Sequence, residues 1–383
     1  MFGAGVMKPV PGRLRCGKVG QESRLSPELE GQAQTTDRNR GGASHAGREV
    51  YAALDLGTNN CRLLIAKPAS SGRLDGAEGL RVVDAFSRIV RLGEGLVATR
   101  RLSEAAMTRT LEALDICREK MDRRRVTRTR LIATEACRAA LNGEEFIARV
   151  GRETGLHLEI IDRETEARLA ATGCGSLADP TADNLLLFDI GGGSTEIVWL
   201  ARDDGQSDHH VEAGPWISIE LGVVTLAERF GGHVVDHATF ESMVALFGKA
   251  LAPFVTTLRE KRLCSRFHLL GTSGTVTTIA GVHLGLDRYD RRRVDGLWMS
   301  EDAVDRAIAQ LRGMSYEERA NQGCIGRDRA DLVLAGCAIF EAIRRAFPAT
   351  RVRIADRGLR EGILIELMRE DFRRDTALRG VGA

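Results

Sequence analysis

Short apolar runs separated by glycine-rich polar turns begin at Tyr51 and continue to the end of the chain. Tyr51–Asp55 and Leu63–Ala66 read as two strands around the turn Gly57–Asn60, because each is a brief apolar run bounded by turn chemistry. Ser103 caps a predicted helix whose apolar positions Met107, Leu111, Leu114 and Met121 share one face, and a buried strand Leu131–Thr134 follows. Asn142 opens a helix carrying Phe146, Ile147 and Val150, and Gly155 ends it. Leu158–Ile161 is a further strand and Arg163–Cys174 a further helix. Asn184–Asp189 and Ile197–Leu200 then pair around Gly191–Thr195, which repeats the first hairpin roughly 130 residues later.

Two copies of strand, aspartate, small-residue turn and strand predict duplicated halves facing one another across a cleft. The second half adds helices over Ile219–Phe230 and Thr239–Leu258, a strand His268–Leu270 and a third small-residue turn Gly271–Thr275. Ser315 with Glu318 forms a capping box for one of the later helices. The predicted organisation is an α/β protein with a first domain over 49–172 and a second over 173–383. Residues 1–48, rich in Gly, Arg, Gln, Ser and Thr and without helical or strand periodicity, are expected to be a disordered extension.

Composition narrows the class. The 383 residues carry 55 Lys and Arg against 53 Asp and Glu, with 43% hydrophobic and 28% charged positions, the balance of an ordinary globular chain. The extension holds 8 basic and 4 acidic residues, which leaves the body at 47 against 49. A globally basic nucleic-acid binder is therefore not expected, and a polyanion would need a local basic cleft. Eight cysteines without a CxxC pair suggest neither a zinc site nor a disulfide framework, which fits a reducing cytoplasm. No stretch approaches the ~18 uninterrupted apolar residues of a membrane helix.

The turns carry the candidate chemistry. Asp55-Leu-Gly-Thr-Asn-Asn60 places an acid at a strand end, then a glycine, hydroxyl and amides, which suits a phosphate and its cation; an ordinary hairpin turn uses the same residue types. Asp189–Glu196 is more specific, because three consecutive glycines carry an entropy cost that close backbone approach to a ligand would explain. The third turn could aim a helix N-terminus at an anion, or only allow close helix–strand packing. His233 and His237 have metal-ligand spacing but no third ligand, and Arg123–Arg125 and Arg291–Arg293 could line an anion path or a solvated loop.

Asp55–Ile65, Thr134–Arg138, Glu166–Arg168, Asp189–Glu196, Arg329–Asp331 and Asp356–Gly362, in this order and spacing, resemble the exopolyphosphatase / guanosine pentaphosphate phosphohydrolase family. The resemblance runs from about Tyr51 to Leu367. It implies two ribonuclease-H-like domains of the actin-like ATPase superfamily with an active cleft between them, and Mg²⁺-dependent hydrolysis of a terminal phosphoanhydride, with K⁺ as a candidate activator. Carried over by position, Glu166 matches the catalytic glutamate that activates water and Glu196 the second functional glutamate. Asp189 matches the metal-associated acid, and Asp55, at the paired strand end, is expected to hold Mg²⁺ with it. Arg138, Gly191, Gly192, Gly193 and Ser194 match phosphate-binding positions, and Gly57, Thr58, Asn59, Thr195 and Gly274, in the three small-residue turns, are expected to bind phosphate with them. Where many relatives have Ser and His-Gly, this chain has Asn60 and Asp295-Gly296, and it resembles the short, two-domain members.

The expected substrate is inorganic polyphosphate, with guanosine pentaphosphate as the alternative, no nucleic-acid or membrane partner, and a homodimer as a candidate assembly. An actin-like nucleotide-dependent kinase or ATPase would share both hairpins. A non-catalytic sensor would not need both glutamates.

Overall fold

The computed structural model describes residues 4–6, 49–69, 77–202, 211–261, 263 and 266–380. Two sheets organise the fold. The first comprises β2 (Tyr51–Leu56), β3 (Asn60–Pro68), β4 (Leu80–Ile89), β5 (Arg128–Ala133) and β6 (Glu159–Ile160), in the spatial order β4-β3-β2-β5-β6. The second comprises β1 (Ala4–Val6), β7 (Asn184–Ile190), β8 (Thr195–Arg202), β9 (Val211–Ile219), β10 (Phe267–Thr272), β11 (Trp298–Ser300) and β12 (Arg351–Ala355), in the order β1-β9-β8-β7-β10-β12-β11.

Within each half the first three strands run antiparallel, and the next two lie parallel to the first strand on its other side. Taking strands in chain order within each half, β2-β3-β4-β5-β6 and β7-β8-β9-β10-β12 occupy the same spatial sequence, so the hairpin repeat extends to whole sheets.

The second sheet buries one face under helices Val223–Phe230, His237–Glu260, Gly274–His283, Glu301–Gly313 and Val333–Ala346. His237–Glu260 is long and apolar enough to cross a membrane, but it buries Phe240, Phe247, Leu251 and Phe254 in this core and is a core helix. The first sheet packs one face against helices Glu104–Arg123 and Gly143–Thr154. Helix Arg163–Cys174 lies between the sheets: Leu169 joins the other face of the first, whereas Ala167, Ala170, Ala171 and Cys174 pack on the second.

Several expectations need correction. Ile219 ends β9, whose Trp216–Ile219 stretch alternates with period two, and the helix begins only at Val223. β6 is two residues long, and β4, β9, β11 and β12 were not expected. Asn142 stands at its helix N-cap, but its side chain bonds the Leu102 backbone in both directions instead of capping. The third turn shrinks to Ser273, because β10 runs through Thr272 and helix starts at Gly274. Of the expected disordered extension, Ala4–Val6 pairs with the edge of the second sheet, and the remainder to residue 48 lies outside the described residues. Helix Leu359–Gly380, expected to end the second half, lies on the first sheet, where Leu359, Ile363, Leu364, Leu367 and Met368 cover Tyr51, Ala53, Leu64 and Ile132.

Candidate active site

The two hairpin turns are built alike. Gly57 N donates to Asn60 O at 2.9 Å, and Gly191 N donates to Ser194 O at 2.9 Å. They meet across the seam between the halves. A Cβ on Gly192 would lie 2.9 Å from Thr58 Cβ, and one on Gly193 would lie 2.7 Å from Thr58 Oγ1 and 2.9 Å from Glu135 Cγ. The close approach that the glycine run predicts is therefore to the other turn of the same protein. The carbonyls of Gly191 and Gly192 accept from Val223 N and Val224 N at the start of the next helix, 3.0 and 2.8 Å away. Among the described residues the amides of Gly192 and Gly193 donate to no protein acceptor, which leaves them for an anion.

A cavity of about 560 Å³ opens between the halves, and every expected site residue lines it except Arg138 and Thr195. Thr195 is fully buried and its hydroxyl donates to Leu221 O at 2.8 Å. Eight acidic residues line the cavity, among them the expected Asp55, Glu166, Asp189 and Glu196. Burial, and then the neighbouring Asp189, push Glu196 up to about 7, although Ser218 Oγ donates to it at 2.9 Å. Burial pushes Asp189 up to about 6 and also raises Asp55, against the pull of Arg62. Burial and then the Glu196 charge hold Glu166 well above the usual carboxylate range, opposed by Arg138, whose Nη2 donates to Glu166 Oε2 at 3.1 Å. Carboxylates so placed bind a proton or a cation readily near neutral pH.

Asp55 and Asp189 accept no hydrogen bond from any described residue, and Asn59 Oδ1 is buried without a partner. This is an oxygen donor set that suits Mg²⁺, an ion that keeps water and substrate oxygens for its remaining positions. Among the described residues no group of three or more His, Cys, Asp or Glu is drawn together tightly enough to hold a metal alone. His233 stacks on Tyr316 and His237 Nδ1 meets Arg312, so the histidine pair is engaged elsewhere.

Sequence reasoning missed the basic side chains of the cavity. Arg62, Arg329 and Arg360 line the cavity, and their side chains form no hydrogen bond or ion pair with any described residue. Arg62 Nη2 and Arg329 Nη1 lie 3.7 and 3.9 Å from the Cβ position of Gly274, at the start of helix Gly274–His283. Ser273 before it holds φ at 129°, a strained value for a residue with a side chain, while its Oγ caps Thr275 and Val276. One signal was available: hairpin register sets Arg62 directly opposite Asp55. Of the arginine runs, Arg291 is committed to Glu361 and the Asp356 carbonyl, and Arg124 to Asp84. Asp295 has a structural partner, pairing with Arg357 at 2.5 Å and accepting from Asp356 N at 2.9 Å.

The helix that carries Glu166 is fixed by Leu359–Gly380 crossing it. A Cβ on Gly173 would lie 2.0 Å from Gly358 O, and one on Gly362 would lie 1.9 Å from Leu169 O, so both glycines are needed for the two backbones to approach. The salt bridge between Arg168 and Glu366 closes the same crossing.

Two α/β halves of like topology, closing on raised-pKa carboxylates, free loop amides and unpaired arginines, define a phosphate-handling protein. The chain belongs to the Ppx/GppA phosphatase family, which matches residues 73–371. It is 29% identical over 327 residues to the guanosine-5'-triphosphate,3'-diphosphate pyrophosphatase of Aeromonas hydrophila, a match covering 83% of this chain and 59% of that protein. It is 28% identical to exopolyphosphatase 2 of Mycobacterium tuberculosis, covering 82% of this chain and 98% of that one. The chain thus spans about three fifths of the first relative and nearly all of the second. The crystal structure of the Aquifex aeolicus Ppx/GppA family member superposes with a TM-score of 0.65 at 29% identity, covering 84% of this chain and 98% of that one. Such neighbours belong to the actin-like ATPase fold.

Proposed function

We propose that the chain hydrolyses the terminal phosphoanhydride of inorganic polyphosphate and releases orthophosphate. The observation that carries this reading is the mixed lining of one cavity: buried carboxylates, the side chains of Arg62, Arg329 and Arg360 without a hydrogen-bond or ion-pair partner among the described residues, and the amides of Gly192 and Gly193. Phosphoryl transfer to water needs a positioned nucleophile and charge stabilisation on the phosphate oxygens, and these groups supply both.

Glu166 takes the proton of the attacking water, with Glu196 completing the acidic wall beside it. The loop amides and arginines bind the anionic oxygens, and exclusion of bulk water strengthens each contact. Asp55, Asp189 and Asn59 Oδ1 would hold Mg²⁺, which when bound neutralises charge on the transferred group. We also assign each half to the ribonuclease-H-like class; the shared strand order of the two sheets supports this.

Release of orthophosphate from short and long polyphosphate, with no acceptor and no nucleotide present, tests the reading; strict dependence on an acceptor would point to a kinase instead. Guanosine pentaphosphate as substrate is a second reading, favoured by one observation. Tyr289 is the one aromatic residue among those lining the cavity and is 37% exposed, offering a ring on which a base can stack. Under that reading Tyr289→Ala weakens the guanosine substrate about tenfold and leaves polyphosphate unchanged.

A further inference from the structure

Arg138 matches a phosphate-gripping position, but its surroundings assign its fork elsewhere. An arginine has five N–H donors. Nε and Nη2 donate to Glu135 Oε2 at 3.1 and 2.6 Å, Nη1 donates to Ile161 O at 2.7 Å, and Nη2 donates also to Glu166 Oε2 at 3.1 Å. Four of the five are placed, and Arg138 is not among the residues lining the cavity. Bidentate grip on a phosphate needs a free fork, which Arg62, Arg329 and Arg360 keep.

Glu135 is the centre of this arrangement. It is 7% exposed, and Arg163 Nη2 donates to its Oε1 at 3.0 Å while also reaching Glu220, on the second half, at 2.8 Å. A Cβ on Gly193, in the second half, would lie 2.9 Å from its Cγ. The carboxylate is therefore fixed from both halves and in turn fixes Arg138. Glu166 is engaged through Oε2 alone among the described residues, which leaves Oε1 for the water.

We propose that Arg138 is a positioning residue for Glu166, not a phosphate ligand, and that Glu135 is the clamp that holds it. This rests on the reading of Glu166 as the base, so the test has one arm that needs no turnover. In Arg138→Lys, which loses the planar fork but keeps the charge, calorimetric binding of polyphosphate retains its Kd within about twofold, whereas Arg62→Lys weakens it about tenfold. A tenfold weaker Kd in Arg138→Lys overturns the proposal whether or not the protein is a hydrolase.

In steady-state phosphate release, Arg138→Lys and Glu135→Gln lower kcat by about 10- to 100-fold with KM within about twofold, the cost of a displaced catalytic group. Glu135→Asp, which keeps the charge, recovers part of the loss. Adding Arg138→Lys to Glu166→Gln costs less than about twofold more, because both act through one carboxylate. A rise in KM at constant kcat, or a full additional loss in the double variant, overturns the proposal. Absence of phosphate release from the wild-type protein would instead remove the hydrolase reading and leave the binding arm to decide.

Discussion

The turns Gly57–Asn60 and Gly191–Ser194 share a backbone hydrogen bond and a place in equivalent hairpins, yet they tolerate side chains very differently. A Cβ on Gly57 meets nothing closer than 3.6 Å, whereas Gly191, Gly192 and Gly193 would each place one within 3.0 Å of another atom. Both turns border the cavity. The second is wedged between the first turn and the N-terminus of helix Val223–Phe230, to which it gives two carbonyls. Duplication has thus kept the topology while the two copies took separate duties: one supplies polar side chains, and the other supplies bare backbone that lets the halves close.

The largest effect expected on this division comes from the helix between the halves. Glu166→Gln keeps size and polarity but removes the proposed base, so turnover should fall by roughly 10²–10⁴-fold while polyphosphate affinity holds or tightens. Turnover that survives within a few-fold, measured on the same preparation as binding, would move the base to Glu196 and so into the second half. Next, Asp55→Asn and Asp189→Asn should each raise the Mg²⁺ requirement by at least about tenfold. A metal titration that shifts in only one of them would break the equivalence of the two turns.

The pH response should follow the acidic wall. In the proposed roles Glu166 and Glu196 act ionised, so kcat/KM should fall roughly tenfold per unit as pH drops below about 7, the value to which Glu196 is raised. Stability runs the other way: groups raised in the folded state stabilise it when protonated. The Tm of metal-free protein should therefore decline as pH rises through about 6 to 7, where Asp189 and Glu196 ionise. Mg²⁺ should flatten that decline, and a flat profile without metal would contradict the shifts.

The smallest effect is steric and separates the turns most directly. Gly193→Ala should cost about 1–3 kcal/mol by denaturant unfolding, because Thr58 and Glu135 must move. Gly57→Ala should stay within about 0.5 kcal/mol. Equal costs would show that the wedge is not what selects glycine.

Much of this architecture was legible because it is local. The paired apolar runs, the Ser103 cap, the Ser315–Glu318 box and the helix Arg163–Cys174 all follow from contacts within a few residues and appear as expected. β4 escaped notice because it is an edge strand with Arg81, Val82, Ala85, Ser87 and Arg88 exposed, leaving no continuous apolar run. β12 hid behind Arg351 and Arg353, which alternate with buried Val352 and Ile354.

At the site, the acids and glycines are adjacent in sequence to recognisable turns. Arg62, Arg329 and Arg360 instead come from three distant segments, and only folding brings them to one cavity. The engagement of Arg138 was invisible for a similar reason, since its partners Ile161 and Glu166 lie across a helix boundary. Glu135 is three residues away, but so are many surface pairs of no consequence.

The crossing of Leu359–Gly380 over the first sheet bears on how the chain matures during synthesis. Tyr51 donates its hydroxyl to Asp371, 320 residues further on, and the face of the first sheet that carries Tyr51, Ala53, Leu64 and Ile132 waits for Ile363, Leu364 and Met368 to complete its cover. A ribosome extending the chain at about 5–20 residues per second would hold that apolar face open for tens of seconds, so the two halves cannot mature strictly one after the other. Helix Leu359–Gly380, which emerges after the strands of both halves, completes the core of the first domain and, through Gly362 against Leu169, seats the Glu166 helix in the same step. Chains released early would therefore carry a nearly complete second half, an exposed sheet on the first, and no working site.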